Sequence, residues 1–571
     1  MAAGEAGRTR DAGGSRAAAG GPAPGARAGR PLALAPLLVA LAAGLAWHAL
    51  SPPGANDLVG GDEGYYGTMA RNVLADPRQR ISPSLWPLGP PGDKPPLYPL
   101  MLAPWVATMG PVPAALRELS ALLALCVAWA IGRLVRPAAG ASGALFATAL
   151  LATLPWFADA SRPAAAELPL TAFASLALVL LVERSGVARA AIAGALLGLA
   201  FLCKLWLVAP AALAAVALTA RGGPRATRAL VALVVAALAV ASLHLVAVAL
   251  AAPGDLAHWR YIYLGRSLAE RLAGEGYAEY WHRPAGAYWA SATRAYGLVL
   301  PLLAAGVEAA WRRRHEPVPR ALLVWASGLL ALSLFRVQAG GYAYVVLPAW
   351  AGLAALGAQA IARRESPHGW TLALGALLTS PLLARWSASG PPAPLWAAVW
   401  LAGFALLAAR RAPRVPVRAV AIAWALAAVA LGAARSAQRL AVPFQTPGYE
   451  RIAARLAPLL ADVPPERRCL LAPEAPVFSY HLFRTAGYWA TPNRPWSEAT
   501  FAAVRADTAL RAFVVDPGRR FYGGWPDEAA VAWLEAGFRE LPPAEWGGAP
   551  DPLALRVFVR ESPAGPRSPS R

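Results

Sequence analysis

The sequence predicts an all-α polytopic membrane bundle of about thirteen transmembrane helices that carries a small α/β domain at its C-terminal end. Three observations lead there. The 571 residues are 57% hydrophobic and only 15% charged, with a mean hydropathy of +0.43, which no ordinary soluble domain matches. Apolar runs of bilayer-spanning length recur from Pro31 to Arg435, and the polar content becomes ordinary after Val442. The basic residues sit mainly in short gaps between the runs. The net charge of +21 therefore reads as an orientation signal for a membrane chain, and no nucleic-acid partner is expected.

Residues 1–30 are Ala/Gly/Arg/Pro low complexity without an apolar face and read as a disordered cytoplasmic tail. Pro31 to Leu50 follows a long basic leader and lacks a clear small-x-small cleavage site, so it reads as an uncleaved signal-anchor helix. Its leader stays cytoplasmic and the loop after it goes outside. Further spans are expected near 114–132, 140–158, 167–182, 188–204, 206–220, 228–251, 287–308, 320–336, 342–361, 370–388, 394–409 and 417–436. In this register Cys203 to Trp206 is a very tight external hairpin. Alternate gaps hold seventeen arginines against three acids, Glu183, Glu316 and Glu365, which marks that side as cytoplasmic. The three cysteines, Cys126, Cys203 and Cys469, are far apart and imply no disulfide framework.

The opposite gaps carry the chemistry. The first external loop, within 51–113, places Asp62 and Glu63 near its start and Asp93-Lys94-Pro95-Pro96 where the chain turns apolar again. Asp62 is positioned to cap a short helix from Gly64 to Ala75, whose Tyr66, Met69, Ala70 and Val73 follow helical spacing. That helix is expected to lie along the membrane surface. Among 53 basic residues only Lys94 and Lys204 are lysines, and both stand at the edges of apolar sequence. Snorkelling at helix ends accounts for them as well as function does. Glu167 opens the next span from the outer side, where a carboxylate beside hydrocarbon needs a partner or a wet cavity. An interfacial acid on a helix dipole is the plainer account. The external segment 253–288 is dense in aromatics and bases, with Arg260, Arg266, Arg271, His282 and Arg283 on the side that orientation rules leave poor in arginine. Guanidinium groups there suit an anionic partner such as a lipid phosphate, unless they pair with Asp255, Glu270, Glu275 and Glu279.

The last part, 439–571, alternates helix-like ERIAARLAPLL and DEAAVAWLEAGF with strand-like RCLLA, RAFVVD and LALRVFVR. An odd number of crossings after a cytoplasmic start puts this domain outside. No phosphate-binding glycine motif, metal-ligand spacing or nucleophile elbow is found in it.

Taken in order, these motifs resemble a known family. Asp62-Glu63 with Tyr65-Tyr66, then Asp93-Lys94-Pro95-Pro96-Leu97-Tyr98, looks like the first periplasmic loop of polyprenyl-phosphate-dependent GT-C glycosyltransferases. That group includes protein O-mannosyltransferases and the lipid A aminoarabinose transferase. The likeness continues through Glu167-Leu168-Pro169-Leu170-Thr171-Ala172-Phe173, Phe201-Leu202-Cys203-Lys204, Arg271 with His282-Arg283-Pro284, and Gln338 with Tyr342-Ala343-Tyr344-Val345-Val346-Leu347-Pro348. Together they cover most of 31–360. The chain departs from the pattern with Asp93 where the family more often has Glu, and Glu167 where it usually has Asp.

The resemblance implies a multi-pass protein of the bacterial inner membrane, with its active site and C-terminal domain facing the periplasm. Its partners are then membrane lipid, a polyprenyl-phosphate-linked sugar donor and an extracytoplasmic acceptor that is a lipid, a glycan or a protein. It implies Asp62 as the reacting carboxylate, with Lys94 and Arg271 on the carrier phosphate. Beside these, the chain offers Glu167 and Glu63 as further candidate acids, Arg266, Lys204 and Tyr344 as further candidates for the phosphate, and Asp93, Tyr65 and His282 for the acceptor side or the loop. No cofactor is required by such chemistry; a divalent metal is compatible with it but not indicated. A transporter or flippase for the same lipid phosphate, or a non-catalytic glycan-binding membrane protein, fits the composition too.

Overall fold

The computed structural model describes residues 30–50, 61–183, 186–220, 223–273, 299–332, 340–363, 417–441, 448–472, 474–487, 498–515, 528–546 and 555–560. Most of these residues are helical. Five helical stretches among them are long and apolar enough to cross a bilayer: Pro113–Thr153, Val187–Thr219, Pro224–Ala251, Gly341–Ala362 and Arg418–Gln438. The expected count of thirteen is not reached among the described residues, and the expected spans 370–388 and 394–409 lie outside them.

Two of the five hold more than one arm. Helix α4, Pro113–Thr153, breaks at Gly140, whose φ of 67° is open to glycine and costly for residues with a Cβ. Beyond the break the chain folds back, because a Cβ on Gly132 would collide with Thr148 Oγ1 and lie 3.2 Å from the Ala144 carbonyl oxygen. The separate spans expected at 114–132 and 140–158 are the two arms of this hairpin. Val187–Thr219 likewise divides into α7, Val187–Lys204, a 3-10 turn at Leu205–Val208, and α8, Ala209–Thr219. Leu205 takes φ 53° at the junction, a conformation that non-glycine residues hold only when their surroundings impose it.

Helix α6, Glu167–Glu183, runs between the two ends of the bundle, about 25 Å at 1.5 Å per residue. At its far end Glu183 pairs with Arg133. The same end gathers Arg313, which donates to the Ala138 carbonyl at 3.1 Å, and Arg320, which donates to the Ala217 and Ala220 carbonyls. Arginines of separate cytoplasmic-type gaps thus meet at one end, and Glu167 stands at the other. Between the ends the helix Leu347–Ala362 is buried along nearly its whole length. Gly306 and Gly357 let it approach the helix Leu300–Arg312 until backbone meets backbone. Helix α9, Pro224–Ala251, is peripheral and shows Val231, Val235, Leu238, Leu243, Val246 and Leu250 on its outside, the apolar face that lipid requires.

The C-terminal region is the expected α/β unit. Its five strands are β1 Arg468–Leu471, β2 Thr485–Gly487, β3 Ala512–Val515, β4 Arg539–Leu541 and β5 Arg556–Val559, in the order β2-β1-β3-β5-β4. β1 runs parallel to both β2 and β3, whereas β5 is antiparallel to β3 and β4. The three segments read as strands are β1, β3 and β5, whose inward residues are fully buried. β2 and β4 are three residues each, too short for a periodicity to register.

The loop helix α2, Gly61–Ala75, departs from expectation in two ways. It starts before Asp62, which places that carboxylate inside the first turn rather than at the cap. Its apolar face does not lie on the membrane surface: Tyr66, Met69, Ala70 and Val73 are buried in one core with Tyr449, Phe478 and Tyr480 of the C-terminal domain. Gly64 and Gly67 make that contact possible, since a Cβ on either would meet Pro476 backbone or the Tyr480 ring at 2.5 Å. Arg71 completes it by donating to the Tyr480 and His481 carbonyls.

Candidate active site

The first loop is folded back on α2 by two buried amides. Asn72 donates to the Ser84 carbonyl at 3.1 Å and the Trp86 carbonyl at 2.8 Å, and accepts from the Leu88 amide at 3.0 Å. Gln79 accepts from the Ser84 amide at 2.7 Å. This closure returns Asp93 and Lys94 to the start of α2, where Lys94 Nζ lies 3.2 Å from Asp62 Oδ1.

Lys204, the last residue of α7, reaches the same carboxylate from another side, at 3.7 Å from Asp62 Oδ2. It also donates to Glu167 Oε1 at 2.7 Å. The two lysines of the chain, 110 residues apart in sequence, therefore share one aspartate. The helix ends favour this arrangement. Asp62 and Glu167 stand in the first turns of α2 and α6, and Lys204 in the last turn of α7, so each charge faces the dipole end of opposite sign. Asp62 is the accessible member, with 52% of its side chain exposed, while Lys94, Lys204 and Glu167 are 20%, 15% and 6% exposed. The ring of Tyr342 completes the cluster, 5.8 Å from Lys204 Nζ.

Glu63, read from sequence as a further acid, points away from this cluster. It receives Arg117 Nε at 2.8 Å and Arg117 Nη2 at 2.9 Å, and also the Ala164 amide at 3.0 Å. Both members of the pair are almost wholly buried, at 4% for Arg117 and 2% for Glu63. Glu63 thus ties α2 to α4 and, through Ala164, to the turn that precedes α6, and acid–base work at Asp62's side of the helix is closed to it geometrically.

The start of the segment 253–288 packs over the loop. Arg266 Nη2 lies 3.2 Å from Asp93 Oδ2, His258 Nε2 donates to the Gly92 carbonyl at 2.8 Å, and Trp259 donates to Ser82 Oγ at 2.9 Å. Asp93 is accordingly paired with protein. His244 of α9 donates through Nε2 to the Ile81 carbonyl at 2.6 Å, which leaves Nδ1 to accept from the Tyr263 hydroxyl at 2.6 Å. Tyr261–Glu270 is π-helical over ten residues. Arg271 begins the closing turn Arg271–Ala273; its side chain, like the whole of His282, falls outside what the structure describes. Tyr65 meets Trp86 edge-on at 5.3 Å, and Tyr344 is half-buried two residues beyond Tyr342. Among the described residues no three His, Cys, Asp or Glu side chains converge as a metal site requires.

Residues that sequence reading passed over include Arg117, Asn72, Gln79 and Gly341. Only Arg117 carried a signal, as an arginine just inside an apolar helix, where a buried charge demands a partner.

Comparison with known proteins agrees with this architecture. The family described as dolichyl-phosphate-mannose-protein mannosyltransferase matches residues 93–247, which contain Lys94, Glu167 and Lys204. ArnT from Cupriavidus metallidurans bound to undecaprenyl phosphate superimposes with a TM-score of 0.63 at 17% identity, covering 93% of this chain and 99% of its own. The archaeal oligosaccharyltransferase AglB from Archaeoglobus fulgidus, in complex with an inhibitory peptide and a dolichol-phosphate, gives 0.51 at 13% identity, covering 84% and 69%. The arabinofuranosyltransferase AftD from Mycobacteria gives 0.52 at 17%, covering 93% of this chain and 41% of that one. No curated relative matches. At these identities the likeness is one of fold, and the fold is that of the GT-C membrane glycosyltransferases that the sequence motifs resemble.

Proposed function

We propose that this chain is an integral-membrane glycosyltransferase that moves a sugar from a polyprenyl-phosphate carrier to an extracytoplasmic acceptor, with inversion at the anomeric carbon. The observation that carries the reading is the convergence of Lys94, Lys204, Asp62 and Glu167 at the end of the bundle opposite the arginine clusters. An exposed carboxylate held between two ammonium groups supplies both functions that the reaction needs. The acceptor hydroxyl or amine attacks the anomeric carbon and gives its proton to Asp62, while the bond from that carbon to the phosphate oxygen breaks and its electron pair leaves with the phosphate. Cations at the leaving phosphate stabilise the charge that grows there, a role for Lys94 and, from the fourth external segment, Arg266 and Arg271.

The 3.2 Å contact between Lys94 and Asp62 suggests how binding prepares the base. A phosphate oxyanion drawn to Lys94 competes with Asp62 for the ammonium, and the released carboxylate turns to the acceptor. Lys204, held by Glu167, keeps Asp62 in place as this exchange occurs. Asp93, engaged with Arg266, orders the phosphate-binding segment, and Glu63 with Arg117 fixes the helix on which Asp62 stands.

The test is release of free polyprenyl phosphate by purified protein given a polyprenyl-phosphate-linked sugar and an acceptor. A transporter would bind the lipid and release nothing. The orientation is tested by an alkaline phosphatase fusion after Arg571, expected to be active because the arginine-rich gaps stay cytoplasmic and the C-terminal domain packs on the opposite end. An inactive fusion with a fluorescent cytoplasmic counterpart would overturn the periplasmic site.

A further inference from the structure

Gly341 stands where the carboxylate of Glu167 ends. A Cβ built at 341 would lie 2.7 Å from Glu167 Oε1 and 3.3 Å from its carboxyl carbon, and the next atom, Tyr344 Cε2, is 3.7 Å away. The glycines at helix crossings behave differently. At Gly194, Gly306 and Gly357 the added carbon would collide with a backbone carbonyl, so those positions are fixed by helix crossing. At Gly341 the nearest obstacle is the far end of one charged side chain. That end is almost fully buried and bound to Lys204 at 2.7 Å. Gly341 also belongs to the 3-10 segment Gly340–Val346 that brings Tyr342 to within cation–π range of Lys204.

We infer that Gly341 is a positioning residue: by having no side chain it leaves room for the long arm of a glutamate at 167, and so sets the carboxylate on Lys204. Glu167 and Gly341 form a size-matched pair. A methyl group at 341 displaces the carboxylate, because that group is the movable partner, and leaves the helix packing untouched. An aspartate at 167 is shorter by one carbon–carbon bond, roughly 1.5 Å, which frees the space the methyl takes but by itself withdraws from Lys204. The inference rests on the proposed reaction only for its catalytic meaning, since the packing and the ion pair stand independently.

The chain offers a direct readout, because Lys94 and Lys204 are its only lysines. Competitive acylation of the purified full-length protein in detergent with acetic anhydride, followed by mass spectrometry, reports each amine separately. In Gly341→Ala the acylation of Lys204 should rise several-fold with the unfolding temperature and Lys94 unchanged. Glu167→Asp alone should raise it too. In the double variant Gly341→Ala with Glu167→Asp the methyl no longer meets a carboxylate, so Lys204 should label like Glu167→Asp alone, with no further rise from the alanine. A Gly341→Ala protein that labels like the parent, or a double variant that labels several-fold faster than Glu167→Asp, overturns the inference. Should Gly341→Ala fail to fold, a folded double variant that labels like Glu167→Asp supports the size match, and an unfolded double variant refutes it. Undecaprenyl phosphate added to the parent protein is the separate arm for function: it should slow acylation of Lys94. Failure of that arm counts against the transferase reading, while the Lys204 rates still decide the role of Gly341.

Discussion

Helix α6 carries a glutamate at each end, and each meets a cation from another element, yet the two ends are unlike. Glu183 pairs with Arg133 at about one-third exposure of both side chains. Glu167 pairs with Lys204 where the glutamate is 6% exposed and the lysine 15%, and that lysine also contacts a second carboxylate. The exposed pair reads as a solvated contact with a minor part in stability. The buried cluster has taken its charges out of water at a desolvation cost, and, unlike a fully enclosed pair, it leaves one carboxylate, Asp62, accessible. The difference teaches that charge at a membrane boundary must be weighed by its burial and its company, since orientation rules account for one end only.

The largest effect expected belongs to a third pair, Glu63 with Arg117, buried deeper than either. Arg117→Leu removes the guanidinium that pairs with the buried Glu63 and should cost about 3–5 kcal/mol of stability, read from the unfolding temperature in detergent. A small shift would mean that water reaches Glu63. Next come the lysines. Lys94→Ala should weaken undecaprenyl phosphate binding by about 1.5–3 kcal/mol, the scale of a charged hydrogen bond, and Arg271→Ala should do the same if its guanidinium joins the phosphate. Binding as in the parent protein for both would remove them from the donor site. Lys204→Ala should act chiefly on turnover, because Lys204 is engaged by Glu167 and Asp62. Smallest is the exposed pair: Arg133→Ala should change stability by about 0.2–1 kcal/mol and leave transfer unaltered. A larger loss there would erase the contrast between the two ends.

Much of this was legible in the chain. The membrane class, the arginine-rich side and the strands β1, β3 and β5 follow from composition and periodicity, which are properties of contiguous residues. The scarcity of lysine pointed to Lys94 and Lys204, and they meet. What stayed hidden depends on contacts across long separations. Nothing local says that Glu63 turns toward Arg117 while its neighbour Asp62 turns toward Lys94, for adjacent helix residues differ by about 100° and either face would serve. The covering of α2 by the C-terminal domain is likewise unreadable, because an apolar helical stripe fits lipid and protein equally well. Glycine at 64, 67 and 341 is explained only by the atoms that approach it.

The central claim is that Asp62 is the base, and its own substitution tests it most directly. Asp62→Asn keeps the size of the side chain and its place in the first turn of α2 but cannot take a proton. Release of free polyprenyl phosphate should fall by about 10²–10⁴, the usual range for loss of a general base, with undecaprenyl phosphate binding retained and the fold intact. An Asp62→Asn protein that turns over near the parent rate would contradict the account and move the proton transfer to Glu167.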